Sequence, residues 1–186
     1  MFDVDDFVQQ CRAAGREDDG LRAVREVVER AVADGGEMAE ALRPSAAGFT
    51  LLHHDADMTV LHVVWAPKMS IYPHDHRMWA VIGIYTGAED NRFFRRAAPG
   101  ARTLTGSGGK RLDEGDVATL GAATIHAVAN PQDRLTGAIH VYGGDFVNQP
   151  RSQWGPGVPE ERPYDIADAQ RQFAEANAAW QATGGR

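Results

Sequence analysis

The chain is poor in cysteine, in positive charge and in long apolar runs, and each shortage excludes a class of protein. With Cys11 as its single cysteine it can form no internal disulfide, which is typical of a reducing compartment. Its 19 lysines and arginines are outnumbered by 26 aspartates and glutamates, and the net charge of −7 argues against a nucleic-acid or anionic-membrane partner. No apolar run approaches the roughly 20 residues of a membrane span.

What is present predicts one folded domain over residues 1–186. The hydrophobic fraction is 43%, which is enough for a sizeable core in a chain of this length. The first residues include Asp3, Asp5 and Asp6, where a secretory signal would carry positive charge. We therefore expect a cytoplasmic protein.

Helical patterns occur at both ends of the chain. Within residues 1–46, apolar positions recur every three or four residues and predict two longer helices, then a short one over 37–42 that ends before Pro44. A Pro- and Gly-rich wrap begins near residue 151. It leads to a last helix over 165–180, for which Asp165 is the predicted N-cap.

Residues 47–150 have the pattern of an all-β core. Short runs rich in β-branched and aromatic residues, such as 59–65 and a longer run over 71–85, are separated by Gly and Pro turn signals. Strands and helices do not alternate, as a parallel sheet would require. The sequence therefore predicts a single antiparallel sandwich or barrel, with the helices packed on its outside.

The clearest chemical signal is a His-x-His pair, His74 and His76, at the head of the run 71–85. Residues two apart on a strand point to the same face, so both imidazoles would enter one small volume while Asp75 points away. Two imidazoles together on an apolar surface are typical of transition-metal ligands. The alternative is a solvated pair at a strand edge. The best candidate for a third ligand is His126.

The spacing around these histidines resembles the two motifs of the cupin superfamily, whose members are small double-stranded β-helix (jelly-roll) barrels. The matching positions are His74, His76 and Gly87 in the first motif, and Gly115, His126 and Asn130 in the second. Lys68 stands where the first motif usually has glycine. Gly121 and Ala123 replace the proline and glycine of the second.

The glutamate ligand of the first cupin motif is missing. Its expected place is Ala80 or Val81, whereas Glu89 lies well beyond it and is predicted to be a turn residue. The remaining set is three neutral histidines, which leave a divalent ion with its full charge. Such a site favours an anionic substrate and keeps open coordination positions.

Among cupins, three histidines after a Pro-His-Asp-His lead resemble the thiol dioxygenases, the family of cysteine dioxygenase and 3-mercaptopropionate dioxygenase. The resemblance runs from about Leu51 to Trp154 and is stronger for the bacterial branch. It implies Fe(II) held by His74, His76 and His126. It also implies two small partners, a thiol and O2, which bind the same iron, and a sulfinate product.

The resemblance extends to three further residues. His140 and Tyr142 match the second half of the family's Ser-x-His-x-Tyr sequence, in which the tyrosine hydroxyl lies near the iron, but Ala138 replaces the serine. The alternative is a buried pair satisfied by backbone groups. Arg151 lies near the position at which the bacterial branch binds the substrate carboxylate, a task that suits its planar fork. The alternative is a surface arginine.

Two other functions stay open at this point. A three-histidine dioxygenase of a carbon substrate such as a β-diketone would share the metal without needing Arg151. A cupin could also bind metal or ligand without oxygen chemistry. Ala138 and Lys68, which depart from the family patterns, favour this alternative. Elsewhere, we expect His62 in the core or at a strand edge and Cys11 as a buried apolar residue.

Overall fold

The computed structural model describes residues 1–184, which form four helices and eleven strands. The helices are α1 (Val4–Ala14), α2 (Gly20–Val32), α3 (Gly35–Leu42) and α4 (Ile166–Ala182). The first strands are β1 (Gly48–His54), β2 (Thr59–Trp65), β3 (Ser70–Asp75), β4 (Ala80–Thr86), β5 (Ala88–Arg96) and β6 (Leu104–Asp113). The remaining strands are β7 (Val117–Leu120), β8 (Ile125–Ala129), β9 (Thr136–Tyr142), β10 (Ser152–Gln153) and β11 (Arg162–Pro163).

Each helix begins after an aspartate whose side chain accepts a hydrogen bond from a backbone N–H of the first turn. The four N-caps are Asp3, Asp19, Asp34 and Asp165. The predicted cap of α4 is thus confirmed, whereas α3 begins at Gly35, before the predicted residue 37, because Asp34 supplies its cap. None of the helices within residues 1–184 combines the length and apolarity needed to cross a bilayer.

The strands form two antiparallel sheets. One has the order β1-β2-β9-β4-β7 and the other β11-β10-β3-β8-β5-β6. One buried cluster takes side chains from both sheets, including Leu61 and Ile82 of the first and Ile71 and Val128 of the second. The predicted all-β jelly-roll core is therefore confirmed, with its interior between the two sheets.

The N-terminal helices cover the outer face of the five-stranded sheet, as predicted. The helix α2 packs directly on β4, where Gly83 leaves room for it: a Cβ there would lie 2.5 Å from Val28 Cγ1 and 2.8 Å from Val32 Cγ1. Val81 and Ile139 belong to the same outer cluster as these valines. Because both faces of β2, β4 and β9 are covered, these strands are buried along nearly their whole length.

The prediction of one continuous strand over 71–85 is wrong. Residues 76–79 form a turn in which Arg77 has a left-handed backbone with φ of 58°. The turn carries the chain from β3 in the six-stranded sheet to β4 in the five-stranded sheet. It contains neither Gly nor Pro, so the usual turn signals were missing. His76 consequently lies just beyond the end of β3.

The C-terminal wrap closes one end of the barrel. Its short strand β10 pairs with β3, where Gln153 lies opposite His74. Farther on, Phe173 of α4 stacks on Trp65 with ring centroids 5.2 Å apart and meets Phe49 edge-on at 5.6 Å. The wrap therefore lies beside the strand that carries the His-x-His pair.

Candidate metal centre

Three histidine side chains converge inside the barrel. His74 of β3 lies opposite His126 of β8 in the strand register, and His76 follows on the turn. The Nε2 atom of His76 lies 3.2 Å from that of His74 and 3.3 Å from that of His126. Nitrogens bound at about 2.1 Å to one ion are about 3.0 Å apart in octahedral and about 3.4 Å apart in tetrahedral geometry. The three nitrogens therefore fit a single transition-metal ion.

The hydrogen bonds behind two of these rings fix the direction of their lone pairs. His74 Nδ1 donates to the Tyr72 carbonyl oxygen at 3.0 Å, and His126 Nδ1 donates to Asn91 Oδ1 at 2.7 Å. Because a neutral imidazole has one N–H, both Nε2 atoms present lone pairs to the centre of the cluster. Burial lowers the pKa of His74 to about 4 and those of His76 and His126 well below their ordinary range. The donor set is neutral and oriented for a metal.

A carboxylate does not join this cluster in the part of the chain that the structure describes. Asp75, between the two histidines, turns away as predicted: its Oδ1 accepts from the Ser152 N–H at 2.7 Å and its Oδ2 from Arg77 Nε at 3.1 Å. Three imidazoles leave a divalent ion with its charge uncompensated and with coordination positions free for small ligands.

His140 and Tyr142 lie together on the inner face of β9. His140 Nδ1 is 3.0 Å from the Tyr142 hydroxyl oxygen, and the Tyr142 ring packs edge-on against His76 with centroids 5.1 Å apart. Burial raises the pKa of Tyr142 and lowers that of His140 to about 3, so the pair holds a phenol and a neutral imidazole. The tyrosine hydroxyl is thus hydrogen-bonded to His140, next to the candidate metal ligand His76.

Arg151 lies at the start of the C-terminal wrap and is only 8% exposed. Its guanidinium carbon is 3.9 Å from the centroid of Phe146 and 4.0 Å from that of Tyr164, so the group is held between two aromatic rings. Nη1 donates to the Phe146 carbonyl oxygen, whereas buried Nε has no hydrogen-bond partner within residues 1–184. This arginine is therefore a buried cation with an unused donor.

The histidines line a small cavity of about 50 Å³, walled largely by apolar side chains. A single water needs about 10–15 Å³ of such volume, so the cavity accommodates only a few non-hydrogen atoms. An outer cavity of about 470 Å³ includes Arg151. The residues that line both cavities are Phe49, Leu61, Phe146, Tyr164 and Ile166. A ligand of a few atoms could therefore lie between the histidines and the arginine.

No known protein-family profile matches the chain. Among solved structures, it is similar to a cupin superfamily protein from Desulfitobacterium hafniense (15% identity, TM-score 0.42, covering 53% of this chain and 77% of that chain). It is also similar to an RmlC-like cupin from Methanocaldococcus jannaschii (12%, 0.43, 55% and 85%) and to the DMSP lyase DddQ from Ruegeria pomeroyi (16%, 0.44, 56% and 49%). The two facing antiparallel sheets have the strand arrangement of a jelly roll. The chain therefore has a jelly-roll fold.

The most important difference from expectation in this jelly-roll core is Glu89. It is not a turn residue; it lies in β5, fully buried, and its Oε1 accepts from Asn91 Nδ2 at 2.8 Å. Burial raises its pKa to about 7. Since Asn91 in turn orients His126, Glu89 lies directly behind the metal-binding candidate. The sequence signal was its spacing of two residues from Asn91, which places both side chains on one face of a strand.

The expectations for His62 and Cys11 agree with the structure. His62 is buried in β2, where its Nε2 lies 2.8 Å from the Tyr85 hydroxyl, outside the three-histidine cluster. Cys11 is fully buried among the apolar residues of the N-terminal helices. These residues are accounted for by packing and hydrogen bonding within the folded core.

Proposed function

We propose that this protein is an Fe(II)-dependent dioxygenase that oxidises a small carboxylate-bearing thiol to its sulfinate with O2. The observation that supports this best is the convergence of three neutral imidazoles without a carboxylate ligand. The buried cation Arg151 stacks on the Phe146 ring, which in turn lies 5.9 Å from the His76 ring. A thiolate supplies the negative charge that such a metal centre lacks, and a carboxylate supplies the charge that Arg151 lacks.

The proposed reaction balances without a further reductant. One thiol and one O2 give one sulfinic acid: both oxygen atoms join sulfur, which loses four electrons, and O2 gains them. Bound Fe(II) would supply the redox chemistry that lets O2 react with sulfur. His74, His76 and His126 would hold it through their Nε2 atoms, while the apolar cavity walls exclude bulk water.

Arg151 would bind the substrate carboxylate. A carboxylate that enters an apolar cavity unpaired costs several kcal/mol, so a cation has to meet it there. The stacking of Arg151 between Phe146 and Tyr164 fixes the plane of the guanidinium before the substrate arrives. Pre-ordered donors lose little entropy on binding, which favours a two-point attachment of thiolate and carboxylate.

An oxygen-electrode assay of the iron-loaded protein tests the proposal. The panel contains 3-mercaptopropionate and cysteine, cysteamine as a thiol without a carboxylate, and a β-diketone. We expect O2 uptake with a carboxylate-bearing thiol and little with the diketone. Uptake with the diketone alone would assign the protein to carbon-substrate dioxygenases. Uptake with none of these compounds would contradict an oxygenase function for them.

Replacing Tyr142 with phenylalanine should leave iron binding intact and slow turnover. The change removes one hydroxyl, and one hydrogen bond is worth about 1 kcal/mol, which corresponds to roughly a fivefold lower kcat. Iron content and steady-state kinetics are measured on the same preparation. Unchanged kinetics would exclude a role for the hydroxyl but would leave the metal centre as proposed.

A further inference from the structure

Behind the cavity, a Glu89 carboxylate oxygen and two neighbouring ring nitrogens are buried without a hydrogen-bond partner among residues 1–184. They are Glu89 Oε2, His140 Nε2 and Trp65 Nε1. Glu89 Oε2 is 3.9 Å from His140 Nε2. Burial raises the pKa of Glu89, and the nearby Trp65 indole partly offsets that rise. The indole N–H nevertheless makes no hydrogen bond of normal geometry. A buried polar atom left unpaired costs about 1–3 kcal/mol, so a cluster of three requires an explanation.

Ala138 offers no group that could satisfy His140. Its side chain is a fully buried methyl group. Glu89 reaches the same imidazole from the opposite sheet, since it lies on β5 and His140 on β9. The separation is about 1 Å longer than a normal N–H···O bond. Hydrogen bonds of catalytic groups are often long before substrate binds, and a small side-chain rotation closes such a gap.

On the basis of the proposed function, we propose that Glu89 is the hydrogen-bond partner of His140 and that it sets the direction of the bond between His140 and Tyr142. An ionised carboxylate only accepts hydrogen bonds, so His140 must carry its proton on Nε2. Nδ1 is then a lone pair that accepts the Tyr142 O–H. The hydroxyl oxygen of Tyr142 consequently presents its lone pairs to the cavity and can accept a hydrogen bond from the S–H group of an arriving thiol. Glu89 is a positioning residue in this arrangement.

The neighbour Asn91 makes a substitution at Glu89 unusually informative. Asn91 Nδ2 donates to Glu89 Oε1, so in a Glu89→Gln variant the amide oxygen stays on that side. The amide NH2 then replaces Oε2 and faces His140. Because an NH2 group donates, His140 Nε2 must accept, and its proton moves to Nδ1. The bond to Tyr142 reverses with almost no change in shape.

Nitrogen-15 NMR of the histidine rings tests this reversal without any assay of activity. Spectra are taken of metal-free and zinc-loaded protein at about pH 8.5, where a carboxyl with a pKa of about 7 is ionised. We expect His140 to be protonated on Nε2 in the wild type and on Nδ1 in Glu89→Gln. The exposed control Glu114→Gln should match the wild type. A wild-type His140 protonated on Nδ1, or one tautomer in all three proteins, would overturn the proposal. The wild-type spectrum alone decides if Glu89→Gln does not fold.

Glu89 could instead have a purely structural role, in which it orients the metal-binding candidate His126 through Asn91. Kinetics distinguish the two roles. We expect Glu89→Gln to lower kcat per iron by about fivefold, as removal of the Tyr142 hydroxyl does, with KM changed less than about twofold and iron content unchanged. Lower iron content with the same kcat per iron would mean that Glu89 acts only by orienting His126, against the proposal. If the wild type oxidises no thiol, the proposed function fails. The NMR result still decides whether Glu89 sets the tautomer of His140.

Discussion

Replacing His76 with alanine should abolish metal binding and, with it, thiol-dependent O2 uptake. Loss of an outer hydrogen-bond partner of a metal ligand typically costs 10- to 100-fold in affinity or activity, so loss of a ligand should cost at least about 100-fold. His76 is the best of the three histidines to remove. It lies on a turn beyond β3, and its Nε2 is the atom shared by both short contacts in the cluster. Iron content and kcat/KM are the measurements.

A buried histidine elsewhere in the core provides the matched control. His62 is 7% exposed and hydrogen-bonded to Tyr85, so His62→Gln tests the effect of losing a core imidazole. We expect His62→Gln to retain iron even if its unfolding temperature falls. Retention of one iron per chain by His76→Ala would contradict the assignment of the three-histidine cluster as the metal centre.

Replacing Arg151 with alanine should raise KM for 3-mercaptopropionate by about 10- to 100-fold. A hydrogen bond to a charged group contributes about 1.5–3 kcal/mol, and its loss leaves the carboxylate unpaired in an apolar cavity. KM for cysteamine, which has no carboxylate, should change little. The KM of Arg151→Lys for 3-mercaptopropionate should lie between those of the wild type and Arg151→Ala, because lysine keeps the charge but lacks the planar guanidinium fork. Steady-state kinetics on both thiols provide the comparison.

An exposed arginine serves as the control for Arg151. Arg92 of β5 lies outside the three-histidine cavity, so Arg92→Ala should match the wild type on both thiols. Equal losses on 3-mercaptopropionate and cysteamine in Arg151→Ala would show that Arg151 supports the structure around Phe146 and Tyr164 instead of binding the substrate.

The positions of the three histidines were predictable to different degrees. The contact of His74 with His76 follows from their spacing, since two residues near a strand end lie close together whatever the fold. The approach of His126, a contact across 50 positions of the chain, depends on strand pairing between β3 and β8. Only the resemblance to cupin motifs predicted that contact, because local periodicity contains no information about which strands pair.

The burial of Glu89 behind the histidines was not predictable from its spacing to Asn91 alone. Along β5 the buried residues Ala88 and Glu89 are adjacent, and Asn91 is buried too, so the simple alternation of a half-buried strand is broken. A glutamate two residues after a turn glycine is most often exposed. Its burial depends on the partner Asn91 and on Trp65 and His140 from the opposite sheet, which only the folded structure brings together.

The most direct test of the central claim is the fate of isotopically labelled O2. Iron-loaded protein is mixed with 3-mercaptopropionate under labelled O2, and the organic product is analysed by mass spectrometry. A thiol dioxygenase at this three-histidine centre predicts a sulfinate in which both added oxygen atoms carry the label, formed by the wild type and lost in His76→Ala. A disulfide as the only oxidised product, or a sulfinate whose oxygen comes from water, would contradict it.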